Sequence, residues 1–266
     1  MLIAQITDTH IQPPGSLAYG SIDVAEGLRE TVHTVNRLKP DIVLHTGDFA
    51  HAGAAEAYAL ARDILSDLAA PLYAIPGNHD KRATMRAAFS DAAWMPEDDG
   101  GEGFIHFAVD AGPLRILMLD STIPGEVGGR LCAARLDWLD TRLGEDGRPT
   151  IVALHHPPFP PGLEGFGKTG VEGGEGLADI LNRHGHVVRI IAGHNHRSIM
   201  GAWAGVPTVV APSACYPFAF DLTPGAKLAI AGERPGLALH HWREAFGLTT
   251  HIHEVGDLAE PRPLRP

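Results

Sequence analysis

A short apolar run that stops at a glycine and a carboxylate constrains the fold of this chain more than any other feature. Residues 41–48 read Asp-Ile-Val-Leu-His-Thr-Gly-Asp, which is typical of a buried strand that ends at Gly47 and Asp48. In α/β folds, ligands bind at the carboxyl ends of the central strands. Because Asp48 carries two carboxylate oxygens, it could bind one cation with each.

Four other predicted strand ends finish in residue types that bind metals. They are the segments Asp8-Thr9-His10, Asn78-His79-Asp80, His155-His156 and His194-Asn195-His196. Each segment follows an apolar run of strand length, so all of them are expected at the rim of a sheet. Imidazole, carboxylate and amide groups are ligands of divalent metals in proteins. One kind of chemistry at five strand ends predicts a shared metal centre.

Length and charge limit the classes of partner. The 266 residues can bury a full core as one large domain or two small ones. A net charge of -11 opposes a nucleic-acid duplex as the main partner, and with it a deoxyribonuclease function, because duplex binding draws on clustered lysine and arginine. A small phosphate ester remains compatible, since two divalent cations would reverse the charge of a cleft locally.

Cysteine content and hydropathy indicate a cytoplasmic location. Cys132 and Cys215 are too few for a disulfide framework or a cysteine-based zinc site, and we expect both to be reduced core thiols. Residues 1–6 form a short apolar run without a basic region and meet Asp8, which does not resemble a secretory signal. No stretch approaches the roughly 20 apolar residues of a membrane span. We therefore expect a soluble, cytoplasmic protein.

Alternating strands and helices over the first 80 residues predict a parallel sheet. The expected strands are 2–7, 41–48 and 71–76, and the expected helices are 23–39 and 54–69. The first helix has a capping-box pattern, with Asp23 as N-cap and Glu26 three residues later, and one apolar face. Short connections between such elements favour right-handed crossovers between parallel strands.

The remainder of the chain predicts a second sheet. Further helices are expected at 82–89, 137–143 and 177–184, and further strands at 104–109, 114–119, 150–154, 187–192, 208–211, 227–230, 236–242 and 248–255. Residues 157–176 are rich in glycine and proline without periodicity, which is typical of a lid or cleft wall. We expect the strands of the tail to complete the second sheet and to supply an edge or a partner surface.

Counting ligand types gives two donor sets that share Asp48. Asp8 and His10 lie two residues apart, so on a strand both would point to one side and bind one cation. His194 and His196 have the same spacing, although a loop could direct them to two ions. The first set is Asp8, His10, Asp48 and His196, and the second is Asp48, Asn78, His155 and His194. The second set carries one negative charge fewer, so we expect it to bind its metal more weakly.

Two such ions would supply hydrolytic chemistry. At about 3.5–4 Å apart they can share a water, lower its pKa and bind one phosphoryl oxygen each, so that a bridging hydroxide attacks phosphorus in line. The donor sets leave the metal open among Fe, Mn, Zn and Co. His79 follows Asn78 directly, and we expect it to face the cleft and to stabilise transition-state charge or protonate the leaving group. Asp48 and His79 are therefore the candidate catalytic residues.

Other polar and aromatic residues have less specific interpretations. We expect His156 to lie behind the ligands or in packing, His45 to be a satisfied core histidine, and His51 to face solvent or lie behind the ligands. Lys81 and Arg82 are expected at a solvated helix start rather than on a phosphate. Four aromatic residues in loops either line a substrate pocket or fill the surface of the core: Tyr19, Phe159, Phe166 and Phe218. The remaining histidines outside strand ends are expected to be structural: His184, His186, His240, His241, His251 and His253.

The five strand-end segments resemble the five sequence blocks of calcineurin-like metallophosphoesterases in residue type, order and spacing. The blocks are Asp8-x-His10, Gly47-Asp48, Gly77-Asn78-His79-Asp80, His155-His156-Pro157-Pro158 and Gly193-His194-Asn195-His196. Within that superfamily the chain is most similar to bacterial class III cyclic-nucleotide phosphodiesterases and the related glycerophosphodiester phosphodiesterases. This closer resemblance also uses residues 19–24 and 211–215, and it extends to about Asp221.

The resemblance implies a fold and an activity. The fold would be a four-layer α/β/β/α sandwich of two mixed sheets, with a catalytic core at 1–212 and C-terminal strands at 213–266 that contribute to a homo-oligomer interface. The metal ligand of the double histidine would be His155 rather than His156. The expected activity is dinuclear-metal-dependent hydrolysis of small phosphodiesters, either glycerophosphodiesters or cyclic nucleotides. A phosphomonoesterase or a pyrophosphatase is the alternative, and a scaffold without catalysis is disfavoured because every motif position is filled.

Overall fold

The computed structural model describes residues 1–97, 103–163, 165 and 170–256. The first half contains β1 (Leu2–Ile6), α1 (Val24–Leu38), β2 (Ile42–His45), α2 (Ala55–Leu65), β3 (Leu72–Ala74) and α3 (Arg82–Ala88). The second half contains β4 (Phe107–Ala111), β5 (Leu114–Leu119), β6 (Gly129–Arg130), α4 (Ala133–Gly144), β7 (Thr150–Leu154), β8 (Val171–Glu172), α5 (Gly174–Arg183), β9 (Val187–Ala192), β10 (Ile199–Trp203), β11 (Val206–Val210), β12 (Gly236–Arg243) and β13 (Gly247–Glu254). In the part of the chain that the structure describes, no helix combines the length and the hydrophobicity of a membrane span.

Helix α1 forms where the sequence predicts it. The Asp23 carboxylate accepts hydrogen bonds from the backbone N–H groups of Ala25 and Glu26, at 3.1 and 3.0 Å, which satisfies two donors that the first helical turn leaves free. Apolar residues at helical spacing form its buried face against the first sheet: Val24, Leu28, Val32 and Val35.

The strands form two large mixed sheets. The first has the order β13-β12-β1-β2-β3, the second has the order β10-β11-β9-β7-β5-β4, and β6 pairs with β8 in a small third sheet. Strands β1, β2 and β3 are parallel, as are β5, β7, β9 and β11. The predicted α/β class with two mixed sheets is confirmed.

Alternation along the strands produces four layers. Successive side chains of a strand point to opposite faces. In β1, Ile3 packs between the two sheets, whereas Ile6 packs under α1 and α2. In β7, Ile151 packs between the sheets, whereas Val152 and Leu154 pack under α4 and α5. Helices α1–α3 therefore cover the first sheet and helices α4–α5 cover the second, which confirms the predicted α/β/β/α sandwich.

The last two strands, β12 and β13, belong to the first sheet and not to the second sheet as predicted. Strand β12 pairs antiparallel with β1 and β13 pairs with β12, so both extend the first sheet, and the expectation that they complete the second was wrong. Period-two alternation identifies the buried face of a strand but not the edge with which it pairs. The strand expected at 227–230 is a single bridge between Phe218 and Ile230, whereas the one at 208–211 is β11 in the second sheet. The domain boundary at residue 213 stays a prediction.

Strands β1 and β2 end earlier than predicted. β1 ends at Ile6 and β2 at His45, so Asp8, His10 and Asp48 lie in irregular backbone beyond the strands. Two backbone hydrogen bonds keep these segments side by side: the Asp8 N–H donates to the Gly47 carbonyl and the His10 N–H donates to the Asp48 carbonyl, both at 3.0 Å. The parallel pairing of β1 and β2 is thereby continued into the candidate site without strand geometry.

Candidate metal centre

Five of the seven predicted metal ligands have a left-handed backbone. The φ angles are 54°, 45°, 58°, 73° and 53° for Asp8, His10, Asp48, His194 and His196. Aspartate and histidine tolerate this region better than most residues, but such conformations cost on the order of 1–3 kcal/mol each. These left-handed residues are concentrated at the ends of β1, β2 and β9. Backbone strain is therefore accepted at this site to direct the side chains. It also explains how Asp8 and His10 reach one side without being on a strand.

The Asp48 carboxylate lies at the middle of the cluster. Its Oδ2 is 3.5 Å from His10 Nε2 and 3.4 Å from His155 Nε2, and its Oδ1 accepts the backbone N–H of His79 at 2.8 Å. Burial would raise the pKa of Asp48, but the adjacent His155 lowers it well below its ordinary value. Asp48 is therefore ionised near neutral pH. Its Oδ2 alone lies between the two imidazoles, which differs from the arrangement with one cation on each oxygen that the sequence allowed.

The other predicted ligands divide into two groups around Asp48. On one side, His196 Nε2 lies 2.9 Å from His10 Nε2 and 3.5 Å from Asp8 Oδ1. On the other side, Asn78 Oδ1 lies 3.1 Å from His155 Nε2 and 2.9 Å from His194 Nδ1. The structure thus brings all seven predicted residues together, and their division between two metal ions stays a prediction.

Backbone carbonyls determine which imidazole nitrogens face the centre. Nδ1 of His155 lies 2.8 Å from the Thr46 carbonyl oxygen, and Nδ1 of His196 lies 2.8 Å from the Tyr216 carbonyl oxygen. Because a carbonyl only accepts hydrogen bonds, each Nδ1 carries a proton and each ring directs its Nε2 towards the centre. An Nε2 without a hydrogen presents a lone pair, which suits it to bind a cation.

Burial keeps most of these imidazoles neutral. It lowers the pKa of His10 and of His194 well below the ordinary value, and that of His196 to about 3. His155 differs: burial lowers its pKa, but the Asp48 carboxylate outweighs burial and raises it to about 9. Neutral imidazoles beside carboxylates are a donor set for divalent transition metals, and a bound cation would displace the His155 proton.

Two glycines allow the strand ends to approach this closely. A Cβ on Gly77 would lie 2.2 Å from Asp48 Oδ1 and 2.4 Å from the Asp48 backbone nitrogen. A Cβ on Gly193 would lie 2.1 Å from Thr7 Oγ1 and 2.8 Å from Asp8 Oδ2. Any other residue at either position would push a carboxylate out of the cluster.

The side chains of His156 and His45 contact other protein groups and do not point into the candidate metal centre. The His156 ring nitrogens lie 2.8 Å from Ser121 Oγ and 3.0 Å from the Val127 carbonyl oxygen, so it lies behind the ligands as expected. His45 is fully buried and stacks on Phe49, with ring centroids 3.5 Å apart. The prediction of a core histidine is confirmed.

His51 and Arg82 also have clear positions. His51 is half-buried, with its ring centroid 5.0 Å from that of His79 and 6.2 Å from that of His10, which agrees with a place behind the ligands. Arg82 forms two hydrogen bonds with the Asp120 carboxylate, at 2.7 and 3.1 Å. Its guanidinium therefore stabilises the fold and is not directed at a phosphate.

A cavity of about 340 Å³ opens beside the cluster. Tyr19 and Phe218 line it, as the sequence allowed, whereas Phe159 packs against Gly201. The predicted pocket residue Phe166 lies outside the described residues. The cavity gives a substrate direct access to the two groups of donors.

Sequence reasoning missed the carbonyl partners of the ligands and the role of Tyr216. The Tyr216 ring packs against the rings of His10 and His196, with centroids 5.6 and 4.7 Å apart. Any residue type can supply a carbonyl, so Thr46 carries no sequence signal for its contact. Tyr216 has a weak one, because it directly follows the 211–215 segment that carries the family resemblance.

We predict that Gly77→Ala weakens metal binding severely, because its methyl group overlaps Asp48. Gly147→Ala is the matched control, since a Cβ there meets nothing within 4 Å. Calorimetric titration with Mn²⁺ should show at least about a tenfold loss of affinity for Gly77→Ala, comparable to the loss when a ligand's supporting contact is removed. Circular dichroism would verify that both variants fold. Equal affinities in the two variants would contradict the proposed close approach.

Comparison with known proteins gives the same family from independent observations. A family model described as calcineurin-like phosphoesterase matches residues 1–198. A probable glycerophosphodiester phosphodiesterase of Arcobacter nitrofigilis is 34% identical over 268 residues, covering 99% of this chain and 97% of that protein. A 3′,5′-cyclic adenosine monophosphate phosphodiesterase of Pseudomonas aeruginosa is 31% identical over 262 residues, covering 97% and 91%. A dimetal phosphatase structure from Danio rerio has the same fold, with a TM-score of 0.68 at 16% identity and coverage of 97% and 98%. The chain belongs to the calcineurin-like phosphoesterase family.

Proposed function

We propose that the protein hydrolyses small phosphodiesters with the help of two divalent metal ions. The observation that carries the proposal is the position of Asp48 Oδ2, between His10 Nε2 at 3.5 Å and His155 Nε2 at 3.4 Å. One carboxylate oxygen between two donor groups is the arrangement expected for a bridging ligand. Glycerophosphodiesters and cyclic nucleotides, named as substrates for the two bacterial relatives, are the candidate substrates.

We assign the seven residues to two metal sites that share Asp48. The first site consists of Asp8, His10, Asp48 and His196, and the second consists of Asp48, Asn78, His155 and His194. When bound, two such ions activate water for attack on phosphorus and hold the phosphoryl oxygens. The mixed nitrogen and oxygen donors suit Fe, Mn, Zn or Co.

His79 has the position of a catalytic residue that is not a ligand. Its backbone N–H donates to Asp48 Oδ1 at 2.8 Å, which fixes the loop. Its half-buried ring lines the cavity, edge-on to the His10 ring with centroids 4.6 Å apart. From there the imidazole can donate a proton to the leaving alkoxide or stabilise negative charge on the phosphoryl oxygens.

We further propose that the protein acts in the cytoplasm as a homo-oligomer, a dimer or larger. Cys132 and Cys215 are both free thiols, as expected for a reducing compartment. Strand β13 is the outermost strand of the first sheet, and an outer strand offers backbone hydrogen-bonding groups to a second copy.

Asn78→Ala should weaken one metal site far more than the other. The substitution removes a neutral oxygen that lies within 3.1 Å of two nitrogens assigned to the second site. In a calorimetric titration with Mn²⁺, we expect the weaker binding step to lose more than about tenfold in affinity and the tighter step to stay nearly unchanged. Asn182→Ala, on the exposed surface of α5, is the control. Equal loss in both steps would refute the assignment of ligands to sites.

His79→Ala should keep both metals and lose turnover. We expect kcat to fall by about 10²–10⁴-fold on diesters with poor alkyl leaving groups, the range typical of general acid–base catalysis, and to fall less when nitrophenol leaves. The exposed histidine of α1 provides the control variant His33→Ala. Metal analysis should find the same content in both variants. Unchanged rates in His79→Ala would remove this residue from the mechanism.

A further inference from the structure

Among the described residues, the cavity wall beyond the candidate ligands and His79 is neutral. Four side chains form this part of the wall: Tyr19, Val127, Phe218 and Leu228. Among the described residues that line the cavity, none outside the Asp, Asn and His cluster carries a charge. Tyr19 is 63% exposed, Val127 58% and Leu228 46%. Large apolar side chains kept exposed around a site indicate a binding surface rather than a core. We call these four residues the neutral wall.

Tyr19 is held in place although it is exposed. Its backbone is left-handed, with φ at 50°, within a turn closed by the hydrogen bond from the Ala18 N–H to the Ile22 carbonyl at 2.8 Å. Its ring meets that of Tyr216 edge-on, with centroids 5.7 Å apart, and Tyr216 is 3% exposed. A strained backbone and a buried anchor fix the direction of an aromatic ring that the fold itself does not bury.

Phe218 and Leu228 lie on the two arms of a hairpin-like segment, residues 217–231. The Ala219 N–H donates to the Ala229 carbonyl at 2.7 Å, and the Ala231 N–H donates to the Pro217 carbonyl at 3.0 Å. These bonds hold the two arms together beside the cavity. The Phe218 ring contacts the His196 ring, with centroids 4.3 Å apart, so the neutral wall begins directly at the candidate metal ligands.

Arg197, which packs on this segment, is paired with Glu233. Arg197 donates to the Phe218 carbonyl oxygen at 2.5 Å and forms an ion pair with Glu233 at 3.0 Å. Its guanidinium carbon lies 5.9 Å from the Phe220 ring centroid. The arginine therefore supports the hairpin-like segment and is not a ligand for a charged substrate group.

We propose that the neutral wall binds the organic group esterified to the phosphate and selects a planar, uncharged group over one that ends in an ammonium ion. This proposal rests on the proposed phosphodiesterase function. A nucleobase or an aryl ring can stack on Tyr19 and bury its edges against Leu228 and Val127. The ammonium of an ethanolamine ester would lose hydration against the same side chains, and none of the four is a carboxylate that could pair with it. Cyclic nucleotides and aryl diesters are then preferred over glycerophosphoethanolamine.

The first test places a carboxylate on the neutral wall. Leu228→Glu is compared with Leu222→Glu, an exposed leucine of the same segment that is not among the residues lining the cavity. kcat/KM is measured for cyclic AMP, bis(p-nitrophenyl) phosphate and glycerophosphoethanolamine with Mn²⁺. We expect the ratio of cyclic AMP to glycerophosphoethanolamine to fall at least tenfold in Leu228→Glu, mainly through KM, and to stay at the wild-type value in Leu222→Glu.

The second test measures binding without turnover. Calorimetry with adenosine monophosphate and with glycerol 3-phosphate should show that Tyr19→Ala weakens only the nucleotide, by about tenfold or more, as expected when a stacking aromatic is removed. Leu17→Ala, a nearby exposed residue outside the cavity lining, should bind both like the wild type.

The outcomes separate the two proposals. A wild type that hydrolyses all three diesters, with a substrate ratio that Leu228→Glu leaves unchanged, overturns the neutral wall and leaves the phosphodiesterase function standing. A wild-type preference for glycerophosphoethanolamine also overturns the neutral wall alone. So does nucleotide binding that Tyr19→Ala leaves unchanged. A metal-loaded wild type that hydrolyses no diester overturns both proposals.

Discussion

The buried charge of Asp48 is the constraint on which the rest of the site depends. His10 reaches this carboxylate from the end of β1 in the first sheet, and His155 reaches it from the end of β7 in the second. A buried carboxylate without partners of opposite charge is strongly unfavourable. Docking the two sheets therefore creates a place that requires positive charge, which protonated His155 supplies in part, while the neutral imidazoles of His10, His194 and His196 offer lone pairs. Cations meet both requirements at once.

The backbone around this charge adopts strained conformations that direct the ligand side chains towards the site. Five candidate ligands lie in the left-handed region, and glycines at positions 77 and 193 allow contacts that any Cβ would prevent. Proteins keep such strained conformations where the surrounding structure determines them fully, which is common at functional sites. Here β1 and β2 pair in parallel register, and two backbone hydrogen bonds continue this pairing beyond the strands. The pairing fixes the strained backbone in place.

The sequence predicted the candidate ligands better than it predicted the sheets. Asp8, Asn78 and His194 were identifiable because polar residues that follow apolar runs have few structural explanations. The sequence did not show that β12 belongs to the first sheet. An alternating pattern does not specify a neighbouring strand, and the pairing partner β1 lies more than 200 residues away. The carbonyl of Thr46, which orients His155, leaves no trace in residue type. Long-range pairing and backbone acceptors are thus what the structure adds.

The most direct measurement of the central claim is the anomalous scattering of a crystal grown with Mn²⁺. The shared-carboxylate arrangement predicts two strong peaks, one on each side of Asp48, with His10 and His196 next to one and His155 and His194 next to the other. A single peak, or peaks bound away from Asp48, would contradict it.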